Sequence, residues 1–133
     1  MTKINEELKC SAKLIESDFI FKTGFKKSDD FSFCGQIYNI VIKLKAYCEK
    51  DGITSEQVEA YKHYVENKKN IQVLVENELL KPEYNKDNLI PEMLLISRKG
   101  EVTLLLQDAA DLDGGLAVII KPEFKVIPQE EYL

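Results

Sequence analysis

The period of the apolar residues changes in the middle of this chain, and that change limits the folds open to it. From Phe33 onward, Ile40, Ile42, Leu44, Ala46 and Cys48 fall on one side of an extended backbone, with Asn39, Lys43, Lys45 and Tyr47 mostly on the other. A period of two is that of a half-buried strand. Glu49-Lys50-Asp51-Gly52 then supplies turn chemistry. Thr54, with Gln57 three residues on, forms a capping box, in which hydroxyl and side-chain amide satisfy backbone groups at a helix start. Beyond it the spacing becomes helical. Val58, Tyr61 and Val65 share one face, and Ile71, Leu74, Val75 and Leu79 share another after the polar link Asn67–Asn70. Two helices with a short link predict an αα-hairpin, closed by Pro82.

Strand patterns lie on both sides of this helical block. LKCSAKL (8–14) alternates, and FIFKTGF (19–25) is aromatic and β-rich, followed by KKSDD (26–30) as a polar turn. PEYNKDNLIP (82–91), bracketed by two prolines, reads as a loop. EMLLIS (92–97), VTLLLQ (102–107), LAVII (116–120) and FKVI (124–127) follow as strands, with RKGE turning the chain after the first. The expected fold is α+β: one domain over 1–133, a mainly antiparallel sheet with a central two-helix hairpin packed on it. A chain of 133 residues with 44% apolar and 31% charged residues has the usual globular usage, which argues against disorder.

The longest apolar run is five residues, Leu116–Ile120, where a membrane helix needs about 20. The polar start MTKINEELKCSAK lacks the apolar stretch of a signal peptide, so the expected address is the cytoplasm. Cys10, Cys34 and Cys48 are odd in number and lack CxxC spacing, so packing rather than a disulfide framework is expected of them. The formal net charge is −5, concentrated at the end, where residues 101–133 hold two lysines against seven acids. An acidic end repels phosphate backbones and attracts basic surfaces. Nucleic acid and membrane are thus not expected partners, whereas a basic protein is.

Familiar catalytic patterns fail one by one. The single histidine, His63, falls opposite the apolar stripe of its helix and so toward solvent, away from any oriented relay. Neither phosphate-cradling glycine motif occurs. What stands out is DAADLDGG (108–115), with Asp108, Asp111 and Asp113 ahead of two glycines. A calcium loop counted from Asp111 places Leu116 where glycine belongs and Pro122 where the bidentate glutamate belongs. A glycosidase pair needs a carboxyl with a raised pKa in a cleft, and three solvated aspartates in a connection carry no sign of one. The loop is first a turn, with Gly114-Gly115 expected to supply positive φ, and second a charged surface. No catalytic residue, metal ligand or cofactor is expected.

GITSEQVEAYKHYVEN, NIQVLVENELLKPEY and DLDGGLAVIIKPEFKVIPQEEYL together resemble a family of small bacterial proteins of unknown function, some of them immunity-like proteins of polymorphic toxin systems. The resemblance spans roughly residues 35–133 and rests on fold-making residues. The family commonly shows Trp-Asp and Glu-His-Gly in the last turn, where this chain has Ala110-Asp111 and Asp113-Gly114-Gly115. Asp111 and Gly115 are the positions that carry over.

The resemblance implies a non-catalytic protein-binding domain, of immunity type, that neutralises a toxin. Asp108, Asp111, Asp113, Glu130, Glu131 and Tyr132 are the expected contacts with such a basic partner. The alternatives are a metal-dependent module or enzyme built on the three aspartates, and a structural or oligomeric protein.

Overall fold

In the computed structural model, residues 15–111 and 113–132 are described. The strand expected over 8–14, and Cys10 within it, lie outside them. The architecture is α+β. Seven strands form one sheet in chain order: β1 (Ile20–Phe21), β2 (Phe25–Phe33), β3 (Gln36–Leu44), β4 (Leu89–Ile96), β5 (Val102–Asp108), β6 (Leu116–Lys121) and β7 (Lys125–Pro128). Neighbours are antiparallel except β3 and β4, which run parallel. A parallel pair requires a crossover, and the helix α1 (Ser55–Leu79) provides it. A four-residue helix, α2 (Gln129–Tyr132), ends the described chain.

Thr54 and Gln57 form the expected capping box, with the Gln57 N–H donating to Thr54 Oγ1 at 3.1 Å and the Thr54 N–H to Gln57 Oε1 at 2.9 Å. The rest of the helical reading changes. Residues 55–79 form one kinked helix of 25 residues, not a hairpin. The kink lies at Asn67 (φ −111°, ψ 15°), whose side-chain Nδ2 donates to the His63 carbonyl at 2.9 Å. A side chain taking an i−4 carbonyl bends a helix without ending it. The buried face is Gln57, Val58, Ala60, Tyr64, Ile71, Val75 and Leu79, a stripe that runs unbroken past the kink. Val65 and Leu74, expected to be buried, are 53% and 47% exposed.

KKSDD is no turn. It lies inside β2, where Lys27 and Asp29 point to the helix and Lys26, Ser28 and Asp30 point away, as their partners across β3 show. Lys27 Nζ donates to Tyr61 Oη at 3.5 Å, and Asp29 pairs with Lys68 at 3.0 Å. The two-residue turn into β3 uses Cys34 (φ 50°) and Gly35 (φ 79°), the positive-φ pair that tight hairpins require. β4 starts earlier than expected, at Leu89, and takes in Pro91 at an irregularity between Pro91 and Met93. A proline has no ladder N–H to give, so a bulge accommodates it.

The core lies between α1 and one face of the sheet: Phe31, Ile40, Ile42, Leu44, Leu94, Ile96, Leu104, Leu106 and Val118 against Tyr64, Val75 and Leu79. On the other face Leu95, Thr103, Leu105 and Ala117 are also buried. Gln57, fully buried, ties the helix start to the sheet. Its Nε2 donates to the carbonyls of Lys45 (2.9 Å) and Ile96 (3.3 Å), at the ends of the two parallel strands. Arg98 completes the joint by donating to the carbonyls of Gly52 (2.5 Å) and Lys45 (3.2 Å).

Without Gln57 the Lys45 and Ile96 carbonyls keep Arg98 and the Lys45 N–H. The Thr54 N–H, however, loses its acceptor, and a cavity opens at the joint. An unpaired donor alone costs about 1–3 kcal/mol. Gln57→Ala therefore lowers unfolding free energy by about 2–3 kcal/mol, read from urea denaturation. Tyr64 is the opposite case. Its hydroxyl is buried with no hydrogen-bond partner among the described residues, and burial pushes its phenol far above the usual range. Tyr64→Phe removes a desolvated group and keeps the ring, so it leaves stability unchanged or raises it by up to about 1 kcal/mol in the same assay.

Candidate functional site

The sheet topology gathers the expected contact residues at one end. The end of β5, the start of β6 and the end of β7 lie together, because Leu106 pairs with Leu116 and Leu116 with Pro128. Asp108 closes β5, Asp111 and Asp113 lie in the connection, and Glu130, Glu131 and Tyr132 belong to α2 directly after β7. The Gln129 N–H donates to the Gly115 carbonyl at 2.8 Å, which fastens the C-terminal turn to the loop. Asp87, in the short 3-10 turn Lys86–Asn88, adds a further acid at the same end, where the Ala109 N–H donates to the Asn88 carbonyl at 2.8 Å.

Within the loop, two aspartates shape the backbone. Asp108 Oδ1 accepts from the Ala110 N–H at 2.9 Å, and Asp111 Oδ1 accepts from the Asp113 N–H at 3.1 Å. Each is an Asx-turn, the local bond that makes aspartate a turn residue. Further backbone bonds, Asp111 N–H to Asp108 carbonyl (3.3 Å) and Gly114 N–H to Asp111 carbonyl (2.9 Å), wind the chain tightly. Asp111, Asp113, Glu130 and Glu131 are exposed, and Asp108 and Tyr132 are half-buried.

The ion pairs among the described residues are Lys68–Asp29, Lys81–Glu78 and Lys86–Asp87. None reaches the loop aspartates or the two glutamates of α2. Among the described residues no group of three or more His, Cys, Asp or Glu is placed to hold a metal ion.

The glycine pair does a different job from the expected one. The positive-φ glycines are Gly24, Gly35, Gly52 and Gly100, and Gly114 and Gly115 are not among them. What they supply is room. A Cβ on Gly115 would come within 2.8 Å of the Leu106 carbonyl oxygen and would run into the Gln129 side chain. At Gly114 the nearest atoms it would meet are those of the Asp111 side chain, Oδ2 at 2.9 Å and Cβ at 3.1 Å.

Other groups weighed for chemistry are placed as follows. His63 is exposed on α1. Burial, with Glu76 beside it, pushes the Cys34 thiol up. Cys48 is not packed as a core side chain. It begins the 3-10 turn Glu49–Asp51, and its hydrogen bond to Asp51 raises its thiol. A raised thiol is a poorer nucleophile.

The sequence reading did not single out a second charged group at the opposite end of the sheet, made of Lys26, Lys43, Lys45 and Arg98. Its signal, Lys26 directly across from Lys43, exists only when residues 26–30 are strand rather than turn.

No protein-family model, no curated protein and no solved structure matches this chain. No helix among the described residues is long and apolar enough to cross a membrane.

The two glycines separate by their neighbours. Gly115→Ala forces backbone apart and costs about 1–3 kcal/mol. Gly114→Ala meets one side chain, Asp111, rather than backbone; shifting it strains a single exposed Asx-turn and costs about 1 kcal/mol or less. Thermal melts of the two variants beside the wild type check the order.

Proposed function

We propose that this chain is a non-catalytic protein-binding domain of immunity type, whose acidic end closes over a basic surface of a cognate toxin. The observation that carries the reading is the grouping of Asp108, Asp111, Asp113, Glu130 and Glu131 at one end of the sheet, with none in an ion pair among the described residues. Clustered carboxylates without internal cations keep their field for an incoming partner, where they steer encounter and fix register. The Asx-turns support this, since a loop held by its own hydrogen bonds loses little freedom on binding. Tyr132, half-buried beside Glu131, is an aromatic anchor of the kind that carries binding energy. The family resemblance points the same way.

Replacing Asp108, Asp111 and Asp113 together by Asn removes charge and keeps an oxygen for each Asx-turn. The test is co-purification with the toxin encoded beside the gene, followed by affinity measured across a salt series. The expected result is a complex whose affinity falls by about tenfold or more in the triple variant, mostly through the association rate. No complex, or equal affinity for a folded triple variant, rejects the proposal.

A further inference from the structure

At the end of the sheet away from the aspartate loop four cations gather, Lys26, Lys43, Lys45 and Arg98, and there the chain tolerates a repulsion. Lys26 and Lys43 are direct partners in the β2–β3 register, on the face turned away from α1. Like charges directly opposite destabilise an antiparallel pair. Lys45 follows two residues after Lys43, just beyond the end of β3. Burial holds the Lys43 ammonium below its ordinary range, and the charged groups acting on it, Lys26 and then Lys45, push the same way. No ion pair among the described residues involves any of the three lysines.

Over this group lies a cavity of about 330 Å³, lined by Thr23, Lys43, Lys45, Ala46, Tyr47 and Arg98. Two of its walls are held in place. The Arg98 guanidinium is fixed by the Gly52 and Lys45 carbonyls, so its charge stays at the cavity edge. The Lys43 stem passes so close beneath the β1–β2 turn that a Cβ on Gly24 would lie 2.7 Å from Lys43 Cε. Tyr47 stands 98% exposed at the mouth.

We infer that this cavity binds a small phosphate-bearing anion, held by Lys43 and Lys45 in the field of Lys26 and Arg98. Compact ammonium groups suit phosphate as point charges. Although Asp51 acts on Arg98 from outside, the cavity lining itself has three cations and no carboxylate, which favours a ligand of more than one negative charge. The volume holds a phosphate group with a small organic part, and Ala46 and Tyr47 offer that part an apolar and aromatic surface. A long nucleic acid fits less well, since the whole chain carries a net charge of −5.

The test is the melting temperature of the full chain in millimolar pyrophosphate, against sodium chloride at matched ionic strength. A ligand of the folded state raises it in a saturable way. Lys43→Gln is expected to melt higher than the wild type without ligand, because the cross-strand repulsion is gone. It is also expected to need about tenfold more pyrophosphate for the same response. Lys45→Gln, at an exposed position, weakens the response without the rise. ADP, run in parallel, distinguishes free phosphate from an ester. A tighter response to ADP assigns Tyr47 and Ala46 to an organic group, and an equal one assigns the site to phosphate alone. A rise no larger than that in sodium chloride overturns the inference, as does a pyrophosphate response that survives in both variants.

Discussion

Gln57 is the residue on which the arrangement of this fold depends. One side chain accepts from the Thr54 N–H, which starts the helix, and donates to the Lys45 and Ile96 carbonyls, where the two parallel strands end. A buried amide is tolerable only when its polar atoms are paired, and here Arg98 adds a fourth contact, to Gln57 Oε1 at 3.4 Å. The network joins three segments distant in sequence at one corner of the sheet. The crossover between β3 and β4 is thereby fixed at its start, and the helix can run back along the core face only in the direction that buries Tyr64, Ile71, Val75 and Leu79.

That direction decides where charge ends up. The helix leaves the Gln57 corner and delivers the chain to Asp87 and Leu89 at the far end of the sheet, beside the end of β5. Strands β5 to β7 then alternate direction, so the acidic connection and the acidic C-terminal turn meet at that far end. Lys26, Lys43, Lys45 and Arg98 stay at the corner where the helix began. Acids such as Asp51 and Glu56 share that corner, so what the topology separates is two particular groups, the loop and C-terminal carboxylates at one end and these four cations at the other.

Much of this was legible in the residues. The Thr54–Gln57 box, the alternation of Ile40, Ile42 and Leu44, and the strands after residue 92 follow from local periodicity and from capping or turn chemistry. The failures share a cause. Lys26 to Asp30 look like a turn because five polar residues carry no apolar alternation, yet Lys27 and Asp29 face the helix with partners of their own, Tyr61 and Lys68. Of the expected helical stripe, Val58, Ile71, Val75 and Leu79 are buried, but Val65 and Leu74 are not, and Gln57, which a hydrophobic pattern counts as polar, is. Tertiary pairing assigned the reverse burial to these three. Polar residues buried with partners are invisible to a hydrophobic pattern, and they are what sets register and helix face here.

The DAADLDGG loop shows why turn and surface are not competing readings. Each Asx-turn takes one carboxylate oxygen of Asp108 or Asp111 and leaves the charge of the group intact. Asparagine would serve the turns as well, so the turns do not explain why acids occupy these positions. Gly115 explains why the loop is so close to the C-terminal turn, since any side chain there would push Gln129 and the Leu106 carbonyl away. Tight packing at Gly115, with the Gln129 N–H bonded to its carbonyl, keeps Glu130 and Glu131 at the same end of the sheet as the aspartates. A basic partner of the kind proposed would meet these carboxylates as one group rather than singly, because Gly115 holds the loop and the C-terminal turn together.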